Sequence, residues 1–158
     1  MRKKILSFIL VAVIAICFVG SQTTEVSAKA RYITNRNFRG TFTIGGQECT
    51  FESGGYTVVI GNISSKGKVK LQLHRWSANA GKLSDTDVIT TKIKRNKAVF
   101  RFTDSYDGSR EKGIITFNRD KSLDLQVKVI KKAEFSGYSM EIGKTTFERV
   151  SKEHKLEN

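Results

Sequence analysis

The feature of this sequence that most limits its fold is a strict alternation of apolar and polar side chains. Residues 123–129 show it without interruption, and residues 68–74 repeat it. A period of two residues is typical of a β-strand with one buried face and one face in solvent. Beyond Lys29 no stretch shows the longer period of an amphipathic helix, although residues 82–86 are compatible with a single helical turn. The chain is therefore predicted to be almost entirely β.

Turn signals rich in Gly and Ser, such as residues 45–46 and 64–67, separate the alternating segments at short intervals. Short connections favour hairpins between strands that are neighbours in sequence. We predict an all-β domain over residues 36–150, a single antiparallel up-and-down barrel or rolled sandwich of about eight to ten strands. Residues 151–158 are expected to form a frayed polar tail. The predicted strands cover residues 38–44, 49–51, 56–60, 68–74, 88–93, 98–102, 113–117, 123–129, 138–142 and 145–150.

The positions predicted to point inward carry bulky apolar side chains. A barrel of about eight strands is either filled by side chains or holds one small ligand. Side chains of this size favour the filled interior. The predicted inward set contains Phe38, Phe42, Phe51, Leu71, Leu73, Phe100, Phe102, Phe117, Leu123 and Leu125.

The N-terminal residues have the three parts of a secretory signal peptide. A positive patch at residues 2–4 precedes an apolar run over residues 5–20, and small residues follow. This pattern predicts a signal peptide over residues 1–28, cleaved after Ala28 or Ala30. We therefore expect a protein that is secreted or associated with the cell envelope and that keeps no membrane span after cleavage.

Cys49 is the one cysteine that follows the predicted signal peptide. A single cysteine cannot form an internal disulfide, so the domain has to be stable through packing alone. Small domains exported to disulfide-forming compartments usually contain disulfides. The composition instead fits a bacterium whose exported proteins seldom use cysteine.

The charge of the chain is strongly unbalanced, with 28 Lys and Arg residues against 15 Asp and Glu residues, a formal net charge of +13. Such a charge is informative about partners and solubility rather than about fold. It favours an anionic cell-wall or matrix polymer, or an acidic protein, as the partner, and nucleic acid is not the expected one. The alternative is a solvated surface that only keeps the protein soluble. The candidate binding residues are Trp76, Arg75, Lys92, Lys94, Arg95 and Lys97.

Trp76 has two open interpretations. It is in phase with Gln72 and His74, opposite the apolar face of its strand. In a straight strand Trp76 is partly exposed, where an aromatic ring stacks on sugars or anchors an interface. A bulge near Trp76 would instead turn the ring into the core.

Three groups of residues are weighed for chemistry. Cys49 and His74 are a candidate thiol–imidazole pair, although a buried structural cysteine explains Cys49 as well. Residues 104–111 are acidic but lack the ligand spacing of a calcium loop, and they fit a hydrophilic hairpin. Asp85 and Asp87 share a strand face and are considered as paired carboxylates for glycoside hydrolysis, although many solvated acids have the same spacing. We therefore predict no catalytic residue, no metal site and no cofactor, and we expect that the protein is not an enzyme.

The two ends of the predicted domain resemble a family pattern. Gly40 and Phe42 look like the Gly-x-aromatic start of the first strand of calycins, and residues 147–149 look like their closing strand, with Arg149 as its basic residue. Phe42 stands where many lipocalins have tryptophan. The chain is also similar in coarse pattern to small exported bacterial barrels such as lysozyme inhibitors. The resemblance implies a binding or inhibitory barrel rather than an enzyme.

These observations lead to three functional hypotheses. The first is a non-enzymatic binding module of the bacterial surface or extracellular space whose positive face meets an anionic polymer or partner protein. The second is a calycin-like carrier of a small apolar ligand. The third is an inhibitor of a hydrolase.

Overall fold

The computed structural model describes residues 30–47, 54–78, 81–134 and 141–157. Within these ranges the chain forms one short helix and nine strands. The elements are α1 (Asn35–Phe38), β1 (Gly40–Ile44), β2 (Gly55–Ile63), β3 (Lys68–Ser77), β4 (Gly81–Asp85), β5 (Ile89–Lys94), β6 (Lys97–Thr103), β7 (Arg110–Phe117), β8 (Leu123–Lys131) and β9 (Ile142–Ser151).

Eight of the strands close into an antiparallel barrel. The order around the ring is β1, β2, β3, β5, β6, β7, β8 and β9, and β9 pairs with β1 to complete it. β4 lies outside this ring and pairs with β3. The predicted all-β antiparallel class is confirmed, and the closed ring shows that the fold is a barrel rather than a rolled sandwich.

β4 and β5 lie one after the other along the same edge of β3. β4 pairs with the second half of β3, from His74 to Ser77, and β5 pairs with its first half. Between them Thr86 is tied to Leu73, because its backbone N–H donates to the Leu73 carbonyl at 3.0 Å and its hydroxyl accepts from the Leu73 N–H at 3.1 Å. The helical turn predicted for residues 82–86 is wrong, since this segment extends the sheet.

Helix α1 closes one end of the barrel, which we call the α1 end. Phe38 is completely buried and meets Phe117 edge to face, with ring centroids 5.1 Å apart. Tyr32 adds to this plug, because its hydroxyl donates to the Phe117 carbonyl at 2.6 Å. Phe38 was expected in the first strand; it is inward as predicted, but it belongs to the helical plug.

The barrel interior is filled by apolar side chains over most of its length. All the predicted inward residues outside the plug are buried except Phe102, which is half-buried, and Phe51, which lies outside the described residues. Phe100 fits because its cross-strand partner is a glycine: a Cβ at Gly113 would lie 2.3 Å from the Phe100 ring. The described interior is therefore a packed core, as the bulk of the side chains indicates.

The segment from residue 152 to residue 157, which we call the strap, crosses the outer face of β1, β2 and β3. The Thr41 hydroxyl donates to the Glu153 carbonyl at 2.8 Å. Leu156 lies against Gly61, where a Cβ would come within 2.6 Å of a leucine methyl. Glu157 exchanges hydrogen bonds with Gln72, its N–H donating at 2.8 Å and its carbonyl accepting at 3.0 Å. The predicted frayed tail is thus corrected for these residues, which dock on the barrel.

Several predictions fall on residues that the structure does not describe. The signal peptide over residues 1–28, Cys49, and most of the strand predicted over residues 138–142 lie outside the described ranges. Of the described helices, none has the length and apolar character needed to cross a membrane.

Candidate functional site

The end of the barrel opposite α1, where residues 104–109 connect β6 to β7, is polar inside; we call it the loop end. Arg75, Asp104 and Glu111 are all buried there, in phase with the apolar residues below them. Burial raises the pKa of Tyr56; Arg75 lowers this pKa, and Glu111 and Asp104 raise it further, so the four side chains share one electrostatic environment. This cluster is a structural layer of opposite charges under the loop end.

Arg75 is therefore not an exposed cation of the predicted binding surface. It is in phase with Leu73 on the inner face of β3 and is only 6 % exposed. Its guanidinium lies over the Tyr106 ring, 5.6 Å from the ring centroid. The prediction of Arg75 as a surface-binding residue is wrong, because the strict alternation of its strand carries it inward.

Trp76 stays on the outer face of β3. The pairing of β3 with β2 runs from Trp76 opposite Gly55 to Leu71 opposite Ile60 without a shift, and the bulge beside Trp76 affects only the pairing with β4. The ring is half-buried, and its Nε1 is buried without a hydrogen-bond partner among the described residues. A bulge that turns Trp76 into the core is thus not what the structure shows.

One side of the barrel carries a continuous field of exposed cations, which we call the basic wall. It is formed by the outer faces of β5, β6, β7 and β8 together with the first half of β3, which are neighbours in the ring. Its members are Lys68, Lys70, Lys92, Lys94, Lys97, Arg101, Arg110, Lys112 and Lys128, all exposed.

Three of these cations stand directly opposite one another across three strands. Arg101 of β6 pairs with Lys112 of β7, and Lys112 pairs with Lys128 of β8. Facing residues in antiparallel strands have Cβ atoms about 4.5–5.5 Å apart, and like charges placed so are destabilising. Among the described residues, no carboxylate forms an ion pair with any of the three. The row therefore holds repulsion that the described part of the fold does not neutralise.

A second concentration of charge surrounds the turn between β5 and β6. Lys92 faces Lys68 across β3 and β5, and Lys94 faces Lys97 at the start of β6. Arg95 lies in the turn itself with a positive φ of 58°. The four hairpin residues predicted to bind, Lys92, Lys94, Arg95 and Lys97, are therefore together and exposed.

The outer positions of the basic wall include only one acidic side chain among the described residues. Asp124 of β8 is half-buried and forms an ion pair with Lys144 at 3.2 Å. Burial alone would raise the pKa of Asp124, but hydrogen bonds from Thr146, Lys144 and Asn118 hold it below its usual range. Its negative charge is therefore committed to this local network rather than to the row of cations.

Exposed apolar side chains lie among the cations. Val99 is 47 % exposed on β6, between Lys97 and Arg101, and Ile130 is 53 % exposed on β8, two residues after Lys128. Single exposed apolar side chains of this kind are common on protein surfaces and do not define a binding patch by themselves. Sequence reasoning missed these two residues, although their phase within the strands places them on the outer face.

The acidic loop considered for calcium binding is organised as a hydrogen-bonded turn. Asp107 accepts hydrogen bonds from the backbone N–H and the hydroxyl of Ser109, at 2.7 and 3.0 Å, and so caps its own turn. Gly108 supplies the positive φ of 76° that this turn requires. Asp85 is bound to Lys82 and Asp87 is exposed, so the two do not form a pair of free facing carboxylates.

Comparisons with known proteins give no relative from which a function could be transferred. A scan against protein-family models finds no match, and searches of curated proteins and of solved structures find no significant match either. The functional argument therefore depends on the barrel and on the surface it presents.

Proposed function

We propose that this protein is a non-enzymatic binding module whose basic wall binds an anionic polymer outside the cell. The observation that carries the proposal is the row formed by Arg101, Lys112 and Lys128, three facing cations without a carboxylate partner among the described residues. The extracellular setting depends on the signal peptide predicted for residues 1–28.

Electrostatics favours a ligand that brings many negative charges at once. Exposed cations separated by more than about 8 Å are screened at physiological ionic strength, whereas facing residues in the row have Cβ atoms only about 4.5–5.5 Å apart. A polyanion laid on such a row relieves the repulsion and releases its condensed counterions, which supplies most of the binding free energy in such complexes.

The dimensions of the wall favour a polymer over a small anion. The wall covers five neighbouring strands, and at about 4.8 Å per strand spacing it extends roughly 19 Å around the barrel. An extended chain of charges can contact the hairpin cluster and the row together, while a single small anion meets only one of them.

The packed interior supports this hypothesis over that of a carrier for a small apolar ligand. Phe42, Phe117 and Phe147 are completely buried within the described core, together with Leu71 and Leu123. A carrier needs enclosed empty volume at that place, and these side chains fill it.

The proposal is tested with dextran sulfate as a defined polyanion and uncharged dextran as its matched control. Wild-type protein should be retained on immobilised dextran sulfate and not on dextran. The variant with Arg101, Lys112 and Lys128 all changed to Gln should lose at least about tenfold in affinity, because the removed charges are those that contact the ligand.

A matched variant separates the wall from net charge. Arg31, Lys152 and Lys155 are also one arginine and two lysines, all exposed and outside the basic wall. Changing these three to Gln removes the same charge and should leave affinity within about twofold of wild type. Equal losses in the two variants, or equal retention on dextran and dextran sulfate, would overturn the proposal.

A further inference from the structure

A second cluster of functional side chains lies on the second half of β3 and on β4, outside the basic wall, and it is independent of the proposed polymer binding. His74 of β3, Asp85 of β4 and Glu157 of the strap each bring one potential ligand atom within 4.8 Å of the others. Two of them are placed by the sheet itself, because His74 and Asp85 are direct cross-strand partners. The third comes from a distant part of the chain.

His74 is the unusual member of this cluster. It is only 6 % exposed, and its Nδ1 has no hydrogen-bond partner among the described residues. Buried polar atoms are nearly always hydrogen-bonded, and an exception calls for an explanation such as an ion that belongs at the site. Burial, followed by the charge of Lys82, lowers the pKa of His74.

The two carboxylates are already organised around a cation. The Lys82 ammonium lies 3.1 Å from Asp85 Oδ2 and also hydrogen-bonds Glu157. The hydrogen bond from Lys82 holds the pKa of Glu157 below its usual range. Burial would raise the pKa of Asp85, but Lys82 and Ser105 hold it low as well.

We propose that His74, Asp85 and Glu157 form a binding site for a divalent transition-metal ion of the zinc type, which takes the place of the Lys82 ammonium. Zinc accepts imidazole nitrogen and carboxylate oxygen as ligands, and three protein ligands leave a fourth coordination position for water. A calcium site, by contrast, takes six or more oxygen ligands.

The geometry needs only local adjustment. Zinc bonds of about 2.0–2.2 Å bring ligand atoms to roughly 3.5 Å from one another, compared with separations of up to 4.8 Å in the cluster. Asp85 ends a strand, and Glu157 is exposed on the strap, so rotation of these side chains can close the gap. The side chain of Lys82 is one-third exposed, and its flexible stem lets the ammonium move into solvent.

The ion would fix the strap to the barrel. The strap already contacts β3 through the hydrogen bonds between Glu157 and Gln72. A bond from the Glu157 carboxylate to an ion held by His74 replaces its ion pair with Lys82 and ties the strap directly to β3. Any ligand that binds only the folded state stabilises it, so zinc should raise the melting temperature of the protein.

The test is calorimetric titration of the purified, metal-free protein with zinc chloride near neutral pH. We expect one zinc ion per chain and no comparable binding of calcium. His74→Gln and Glu157→Gln should each weaken zinc binding by about tenfold or more, because each removes a ligand. Lys82→Met should strengthen it by about tenfold, since the competing ammonium is gone; a purely structural ion pair predicts no such gain.

The control is His154→Gln. His154 is the one other histidine of the sequence and lies on the same strap, with its ring hydrogen-bonded at Nδ1 to the Lys152 carbonyl. Zinc affinity should be unchanged in this variant. The proposal is overturned if wild type takes up no zinc, if His154→Gln removes binding, or if Glu157→Gln, at an exposed position, binds as tightly as wild type.

Discussion

The basic wall and the wall covered by the strap have the same alternation of inward and outward side chains. The outer side chains of the basic wall face solvent, whereas those under the strap are buried. On the basic wall the outer residues Lys112 and Lys128 are exposed. On the strapped wall Gln72, at an equivalent outer position of β3, is 2 % exposed, and Val59 beside it on β2 is also buried. The difference arises because the strap adds a further layer to one side of the barrel only.

This asymmetry indicates which surface is left for a partner. On the strapped wall the side chain of Gln72 is satisfied internally, through hydrogen bonds with Glu157 and with the Thr86 carbonyl at 2.8 Å. The basic wall keeps facing cations that the described part of the chain does not neutralise. A surface that tolerates repulsion at a cost in stability is the better candidate for a binding site.

The largest expected effect concerns the two faces of a single strand in the basic wall. Leu125→Ala should lower the free energy of unfolding by about 2–5 kcal/mol, because Leu125 is buried and its removal leaves a cavity. Lys128→Ala on the same strand should change it by less than about 0.5 kcal/mol. Urea unfolding of both variants measures this. A loss below half a kilocalorie for Leu125→Ala would show that its face is not core.

The next effect compares two glutamines at outer positions of opposite walls. Gln72→Ala should cost about 1–3 kcal/mol, since the buried Thr86 carbonyl and the part-buried backbone N–H and carbonyl of Glu157 lose their partner. Gln126→Ala, in the half-buried outer row of β8, should cost less than about 0.5 kcal/mol. Similar losses of unfolding free energy at the two positions would mean that the strap does not stabilise the face of the barrel that it covers.

The smallest effect concerns Asp124, the acid at the edge of the basic wall. Its pKa in the folded protein lies below the ordinary value of 3.8. The ionised Asp124 carboxylate therefore stabilises the folded state fully above pH 3.8, and this stabilisation is lost as the pH falls through the folded-state pKa. Melting temperatures of wild type and Asp124→Asn should differ at neutral pH and converge in acid. A difference that is independent of pH would contradict the role of the ionised carboxylate.

The fold could be predicted from sequence to a considerable extent because alternation is a local signal. Residues 123–129 form β8 as expected, and Leu123, Leu125 and Val127 are buried. Val129 is only half-buried, because it faces Glu111 in the polar layer near the loop end. Alternation assigns a face to a residue but does not show where along the barrel the core ends.

Long-range contacts account for what the sequence could not show. The strap looks like a polar tail because its attachment comes from Gln72, which is 85 residues away from Glu157. The cluster of His74 with Asp85 and Glu157 depends on the same contact. The exposure of Lys92 and Lys94 was predictable from their phase, whereas the opposition of Lys92 to Lys68 required the strand order.

The central claim is that the basic wall binds polyanions through its facing cations, and the salt dependence of binding tests it most directly. The association constant for dextran sulfate is measured for wild type over a series of sodium chloride concentrations. The same series is measured for the variant with Arg101, Lys112 and Lys128 changed to Gln. We expect the logarithm of the association constant to fall linearly with the logarithm of salt concentration. The slope for the variant should be shallower by about two to three, because three fewer cations contact the polymer and fewer counterions are released on binding. Identical slopes for the two proteins, or wild-type binding that does not respond to salt, would contradict the account.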